Sequence, residues 1–110
     1  MATFVKGEVV ILPFPFSDLS GSKRRPALVL ANLPGDDLIL CQIPSQHTRD
    51  PYAVSLKTTD LSSGSLANLS YIRPNRIFTS DKKIIIRSVA TVHNATMQQV
   101  IDTIVDLLTK

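Results

Sequence analysis

The stretch ALVLANLPGDDLILCQI (27–43) constrains the fold more than any other part of this chain. Two apolar runs, 27–33 and 38–43, flank a Pro-Gly-Asp-Asp turn at 34–37, which is the pattern of a β-hairpin. Pro26 stands just before the first run; with no N–H to give to a ladder, it suits the entry to a strand. A further β-rich run, GEVVILPF (7–14), puts Val9, Val10, Ile11 and Leu12 in a strand buried on at least one face and ends at Pro13 and Pro15.

The rest of the chain continues in short pieces. PFSDLSGSKRR (15–25) reads as a loop, with Asp18, Ser20, Gly21 and Ser22 supplying turn chemistry. PSQHTRDP (44–51) interrupts with two prolines, and YAVSL (52–56) alternates as a short strand. KTTDLSSG (57–64) is a turn or one helical turn, and SLANLSYI (65–72) is a strand that Arg73-Pro74-Asn75 breaks and RIFT (76–79) resumes. KKIIIRSVATV (82–92) is a strand or the start of a helix, with Ile84, Ile85 and Ile86 favouring extended structure. From Met97, apolar residues at 97, 100, 101, 104, 105, 107 and 108 predict an amphipathic helix. Thr96 is its expected N-cap, with Gln99 completing a capping box. Many short strands followed by one terminal helix imply a mainly β (α+β) fold. The expected form is a small, curved, barrel-like sheet with helical packing at its edge. At 110 residues the chain is expected to be a single domain, 1–110.

Composition narrows the function class. A hydrophobic fraction of 44% with 19% charged residues excludes the disordered class. Twelve Lys and Arg against nine Asp and Glu give a net charge of +3, which favours acidic partners such as nucleic acid or an acidic protein segment. Lys23, Arg24 and Arg25 cluster, as do Lys82 and Lys83, with Arg73, Arg76 and Arg87 near the second group. A lone cysteine, Cys41, excludes an intrachain disulfide, and two distant histidines offer no zinc spacing, so no metal or cofactor is expected. The first residues lack the long apolar stretch of a secretory signal, and no run approaches the roughly 18 apolar residues of a membrane span. A cytoplasmic location without membrane contact is therefore expected.

Arg25 is the leading candidate for chemistry. Pro26 restricts the backbone of Arg25 to extended conformations, so the guanidinium stands on a rigid strand. That planar fork binds two phosphate oxygens at once and stays charged at any working pH. It suits the crowded phosphorus centre formed when a ribose 2′-hydroxyl attacks its own phosphodiester. A cation here serves equally well to keep a sheet edge from pairing. Lys23 and Arg24 either hold a phosphate backbone or solvate a loop. Gln46 can read a base edge, because its amide both donates and accepts. Phe14 and Phe16 flank Pro15; Phe14 fits a core, whereas Phe16 can stack on an unpaired base. Arg73, Arg76 and Arg87 line a groove or solvate the sheet. Glu8 can accept a proton or pair with Arg25 or another arginine and hold it in place, the orienting role being the expected one. His93 suits a surface or helix-cap position, whereas His47 can shuttle protons.

KGEVVILPFPFSD followed by GSKRRPALVL closely resembles the opening of the MazF/PemK family of toxins from bacterial toxin–antitoxin pairs. The shared features are Gly7 and Glu8 at the first strand, Pro13 and Pro15 at its end, a loop, and Arg25 through Leu30 as the second strand. The resemblance continues through SLANLSYIRPNRIFT into the terminal helix. It implies a small SH3-type curved barrel or half-barrel and a homodimer that cuts single-stranded RNA without a metal. It also implies a partner antitoxin. The family's active arginine falls on Arg25. Its second active residue, a threonine, falls on Pro44, which has neither hydroxyl nor N–H. Ser45, one position on, is the candidate substitute, with His47 as a further one. The alternatives on the same scaffold are a binder of RNA that has lost catalysis and a gyrase-poison-like toxin acting by protein contact.

Overall fold

The structure is a computed structural model that describes residues 3–14, 23–44, 49–66 and 70–110. Its strands are β1 (Glu8–Phe14), β2 (Lys23–Asn32), β3 (Asp37–Gln42), β4 (Val54–Leu56), β5 (Leu61–Gly64), β6 (Ser70–Asp81) and β7 (Arg87–Val92), followed by the helix α1 (Asn94–Thr109). They form a seven-stranded sheet in the order β4-β6-β3-β2-β1-β7-β5, and each neighbouring pair is antiparallel. β4 and β5 are its edges, so the expected barrel stays open, a half-barrel with one C-terminal helix. Among the described residues no helix is long and apolar enough to cross a membrane.

The hairpin forms where the apolar runs predict it. Leu28 faces Cys41, Val29 faces Leu40, and Gly35 takes the positive φ of 91° that the turn requires. β2, however, begins at Lys23, so Arg24 and Arg25 belong to the strand and Pro26 lies inside it. Pro26 is tolerated because its backbone polar groups point toward β3. Its carbonyl accepts from the Ile43 amide at 3.2 Å, beyond the last paired residue of β3, Gln42. The missing N–H therefore falls where the ladder is already ending.

Other boundaries move for similar reasons. Arg73-Pro74-Asn75 does not break β6. Cys41 pairs with Ile77 and Gln42 with Arg73, so β6 absorbs Pro74 in a bulge and buries it. Residues 57–64 split into a 3₁₀ turn (Thr58–Asp60), fastened by the Lys57 amide donating to Asp60 Oδ2 at 2.8 Å, and the edge strand β5. Residues 82–92 split likewise. Asp81 Oδ1 accepts from the Lys83 amide at 2.8 Å and caps a 3₁₀ turn (Lys82–Ile84), after which β7 pairs with β1. The helix starts before Met97. The Met97 amide already donates to the His93 carbonyl at 3.0 Å, so His93 occupies the N-cap position. Thr96 is buried inside the first turn and caps nothing, contrary to the expected capping box.

The sheet buries apolar residues on both faces. Val9, Leu28, Leu30, Cys41, Ile43 and Ile72 pack with Met97 and Val100 of α1. On the opposite face Val10, Leu12, Ala27, Val29, Leu38 and Leu40 pack with Phe4, Phe78 and Ile85. Burial pushes the Cys41 thiol up to about 12, so this cysteine is core packing and stays protonated at neutral pH.

Gly64 closes β5 against β7 with φ of 77°, and a Cβ there would lie 2.1 Å from the Val89 carbonyl oxygen. Gly64→Ala is therefore expected to destabilise the fold by about 2–3 kcal/mol, read as a lowered melting temperature. Gly35→Ala, where a Cβ meets no atom within 4 Å, should cost less.

Candidate functional site

The neighbours of Arg25 follow from backbone register. Across β1 it faces Leu12. On the other side, the bond from Ile43 to Pro26 carries the β2–β3 register beyond the end of β3. Pro44, the residue that replaces the expected threonine, follows Ile43 directly, just as Arg25 directly precedes Pro26. Arg25 is half-buried, and its Nε is buried with no hydrogen-bond partner among the described residues. A buried donor left in that state costs about 1–3 kcal/mol.

Alternation and pairing put Arg25, Ala27, Gln42 and Arg73 on one face, opposite α1. Arg24, exposed and paired with Pro13, projects from the other face and is not brought beside Arg25. Glu8 does not orient Arg25 by contact. It pairs with Thr91 of β7, whereas Leu12 faces Arg25 four residues further along β1, about 13 Å away at strand rise. The two form no ion pair, and Glu8 Oε2 is itself buried without a partner. Ser45, Gln46, His47 and Phe16 lie outside the described residues, as does the side chain of Lys23, whose backbone pairs with Phe14.

Arg73 is engaged within the protein. Its Nε donates to Asp50 Oδ2 at 2.9 Å, with the Asp50 side chain only 3% exposed and that of Arg73 25%. Asp50 Oδ1 accepts from the Tyr52 amide at 2.9 Å, and its carbonyl accepts from the Ala53 amide at 3.2 Å, closing an Asp-Pro turn. Burial alone would raise the carboxyl pKa. The Tyr52 amide, the Arg73 and Asn75 side chains and the Arg73 charge outweigh it, holding Asp50 below the usual carboxylate range. Sequence reasoning missed Asp50. Its only local signal is the Asp-Pro dipeptide, which marks a turn but not a partner on a distant strand.

A cavity of ≈ 240 Å³ lies elsewhere, at the start of α1, where Lys6, Gly7, Thr91, His93, Asn94 and Met97 line it. It does not include Arg25. His93, exposed at the helix N-cap, holds the cap position expected for it. Among the described residues no group of three or more His, Cys, Asp or Glu is placed to hold a metal ion.

A protein-family model described as PemK-like, MazF-like toxin of type II toxin–antitoxin system matches residues 5–108. A search of curated proteins finds no match. Among solved structures the chain is similar to MazF from Deinococcus radiodurans, with a TM-score of 0.79 at 21% identity over 100% of both chains. It is also similar to a MazE–MazF structure from that organism, with a TM-score of 0.77 at 20% identity over 97% of each chain. An endoribonuclease in complex with its cognate antitoxin, from Mycobacterial species, gives 0.76 at 16% identity, covering 96% of this chain and 95% of that one. At these identities the likeness establishes a shared fold.

The Asp50–Arg73 pair sets a pH test. A carboxyl whose folded pKa is lowered stabilises the fold fully above its unfolded value near 3.9, and the contribution fades as pH falls toward the folded value. Asp50→Asn is expected to lower stability by about 1–2 kcal/mol at pH 7. The difference from wild type in thermal melts should shrink progressively below pH of about 4.

Proposed function

Because the chain belongs to the family of PemK-like, MazF-like toxins of type II toxin–antitoxin systems, we propose that it is an endoribonuclease that cuts single-stranded RNA without a metal and uses Arg25 as its central catalytic residue. The observation that carries this reading is the half-buried Arg25 held on a paired strand, on the sheet face opposite α1. A phosphate meeting the part of the guanidinium that stays accessible would gain charge-assisted hydrogen bonds, about twice as strong as neutral ones.

In the reaction the ribose 2′-oxygen attacks the adjacent phosphorus and gives up its proton to a base. The P–O5′ bond breaks, and the departing oxygen takes a proton. The products are a 2′,3′-cyclic phosphate and a free 5′-hydroxyl. Arg25 stabilises the charge gathering on the phosphoryl oxygens as the pentacoordinate centre forms, a role that needs no reorganisation because the strand already holds the group in place. Ser45 and His47 follow Pro44 in the chain and are the proposed proton carriers. Gln46, Phe16 and Lys23 are proposed to hold the strand of RNA; Arg24, on the other face of the sheet, is left out of that role. A homodimer and a cognate antitoxin complete the proposed assembly, the antitoxin placing an acidic or hydrophobic segment over the basic face and so competing with RNA.

A second reading is favoured by one observation, that Pro44 stands where the resemblance expects a threonine, next to the Ile43 that bonds to the neighbour of Arg25. With no hydroxyl at that point the chain would bind RNA and leave it intact.

Purified protein incubated with a defined single-stranded RNA in EDTA distinguishes the two. The proposal expects cleavage that Arg25→Ala reduces by about 10³-fold or more. Cleavage that needs an added divalent ion overturns the mechanism. Salt-dependent binding of RNA recovered intact, with cleavage appearing only in Pro44→Thr, supports the binding module instead.

A further inference from the structure

We propose that Gln42 is a base-reading residue, whose amide hydrogen-bonds the edge of the nucleobase next to the phosphate that Arg25 holds. This deepens the nuclease reading above and rests on it.

Gln42 interrupts an apolar run. The other residues from Leu38 to Ile43 are Leu, Ile and Cys. By alternation Gln42 shares a face with Leu38 and Leu40, both fully buried in the cluster opposite α1. On β2 the matching line runs Val29, Ala27, Arg25. The cluster therefore ends at the same end of two adjacent strands, in a guanidinium on one and in an amide on the other. Ala27 is the cross-strand partner of Gln42. Arg25, two residues before Ala27, is then the diagonal neighbour of Gln42, at about 7–8 Å between Cα atoms and within reach of two long side chains. Ala27 sets only a methyl group between them.

The amide has no task inside the protein. Gln42 is half-buried, and among the described residues its side chain makes no hydrogen bond, yet neither of its polar atoms is buried from solvent. A leucine here would extend the core line of Leu38 and Leu40. An amide keeps two donors and an acceptor free at the point where the core gives way to Arg25.

The neighbours decide what it binds. On its other side Gln42 pairs with Arg73, whose Nε donates to Asp50 Oδ2 at 2.9 Å, so that charge is met within the protein. Arg25 supplies the charge for a phosphate. A neutral amide adds little to that charge, but by accepting and donating together it discriminates among base edges. Single-stranded RNA leaves those edges open, within one nucleotide of each phosphate.

The test incubates a random-sequence single-stranded RNA pool in EDTA with wild type, Arg25→Ala, Gln42→Met and Gln42→Glu, below every melting transition, and sequences the new 5′-hydroxyl ends. Wild type should favour one base at a position flanking the cut. Gln42→Met, of similar shape but without the amide, should lower the preference at that one position by about tenfold or more and leave preferences elsewhere in place. Gln42→Glu, which accepts but cannot donate, should change the base preferred there. A merely structural role would slow all sequences alike and leave the profile unmoved, which overturns the proposal. So does wild-type cleavage with no base preference.

Should Gln42→Met fail to fold, the change of preferred base in Gln42→Glu decides the matter. Cleavage that Arg25→Ala abolishes, with a profile that neither Gln42 variant alters, overturns base reading alone. If wild type binds the pool without cutting it, the nuclease reading falls, and sequencing the bound RNA makes the same comparison: a preference lost in Gln42→Met upholds base reading and an unchanged one overturns it. Neither cutting nor binding by wild type overturns both.

Discussion

The candidate site depends on one backbone register, Ile11 against Pro26 and Pro26 against Ile43. It sets Arg25 against Leu12 and turns its side chain away from α1. Along β2 the residues Ala27, Leu28, Val29 and Leu30 are all buried, so apolar pattern alone does not choose between this register and one slipped by a residue. The start of the strand makes the choice. A slip would carry the exposed Arg24 to the face that Arg25 now half-buries and turn Arg25 toward the helix-covered face. Burying an unpaired charge is far more costly than exchanging one apolar contact for another. Arg24 and Arg25 at the lip of a buried strand therefore help to specify the sheet as well as to charge it.

The two faces divide the work of the molecule. One is closed by Met97, Val100, Ile101 and Ile104 of the helix, and this closure lets the sheet stand without becoming a full barrel. The other carries its own apolar cluster and, where β1 ends and β2 begins, gives way to Arg25, Gln42 and Arg73. Arg25 keeps an unpartnered Nε, while Arg73 is committed to Asp50. Two arginines on one face thus have opposite electrostatic standing, and only Arg25 has a buried donor still to satisfy.

What was legible in the sequence was local. The β2–β3 hairpin shows in two apolar runs around Pro34 and Gly35, and the helix shows in its spacing from Met97 onward. The helix start was placed late because Asn94, Ala95 and Thr96 carry no apolar rhythm, although they form its first turn. β5 escaped notice because Leu61-Ser62-Ser63-Gly64 offers almost no apolar side chain and is a strand only by virtue of β7 beside it. β6 looked broken at Pro74, since the bulge that accommodates proline is set by β3 rather than by the residues around it. Arg25 was legible through its proline and through family resemblance. Its lack of contact with Glu8 was not, because strand register decides it.

The strand order has a consequence in time. β1 lies between β2, its successor in the chain, and β7, whose Thr91 meets Glu8 from the far end of the sequence. Pairings so distant in sequence make for slow folding, because a long loop must close before its contacts give anything back. During synthesis the outer edge of β1 has no neighbour until β7, at Arg87–Val92, has been made. The sheet is therefore completed only after β7 has been made, and a chain halted before that point leaves the outer edge of β1 uncovered.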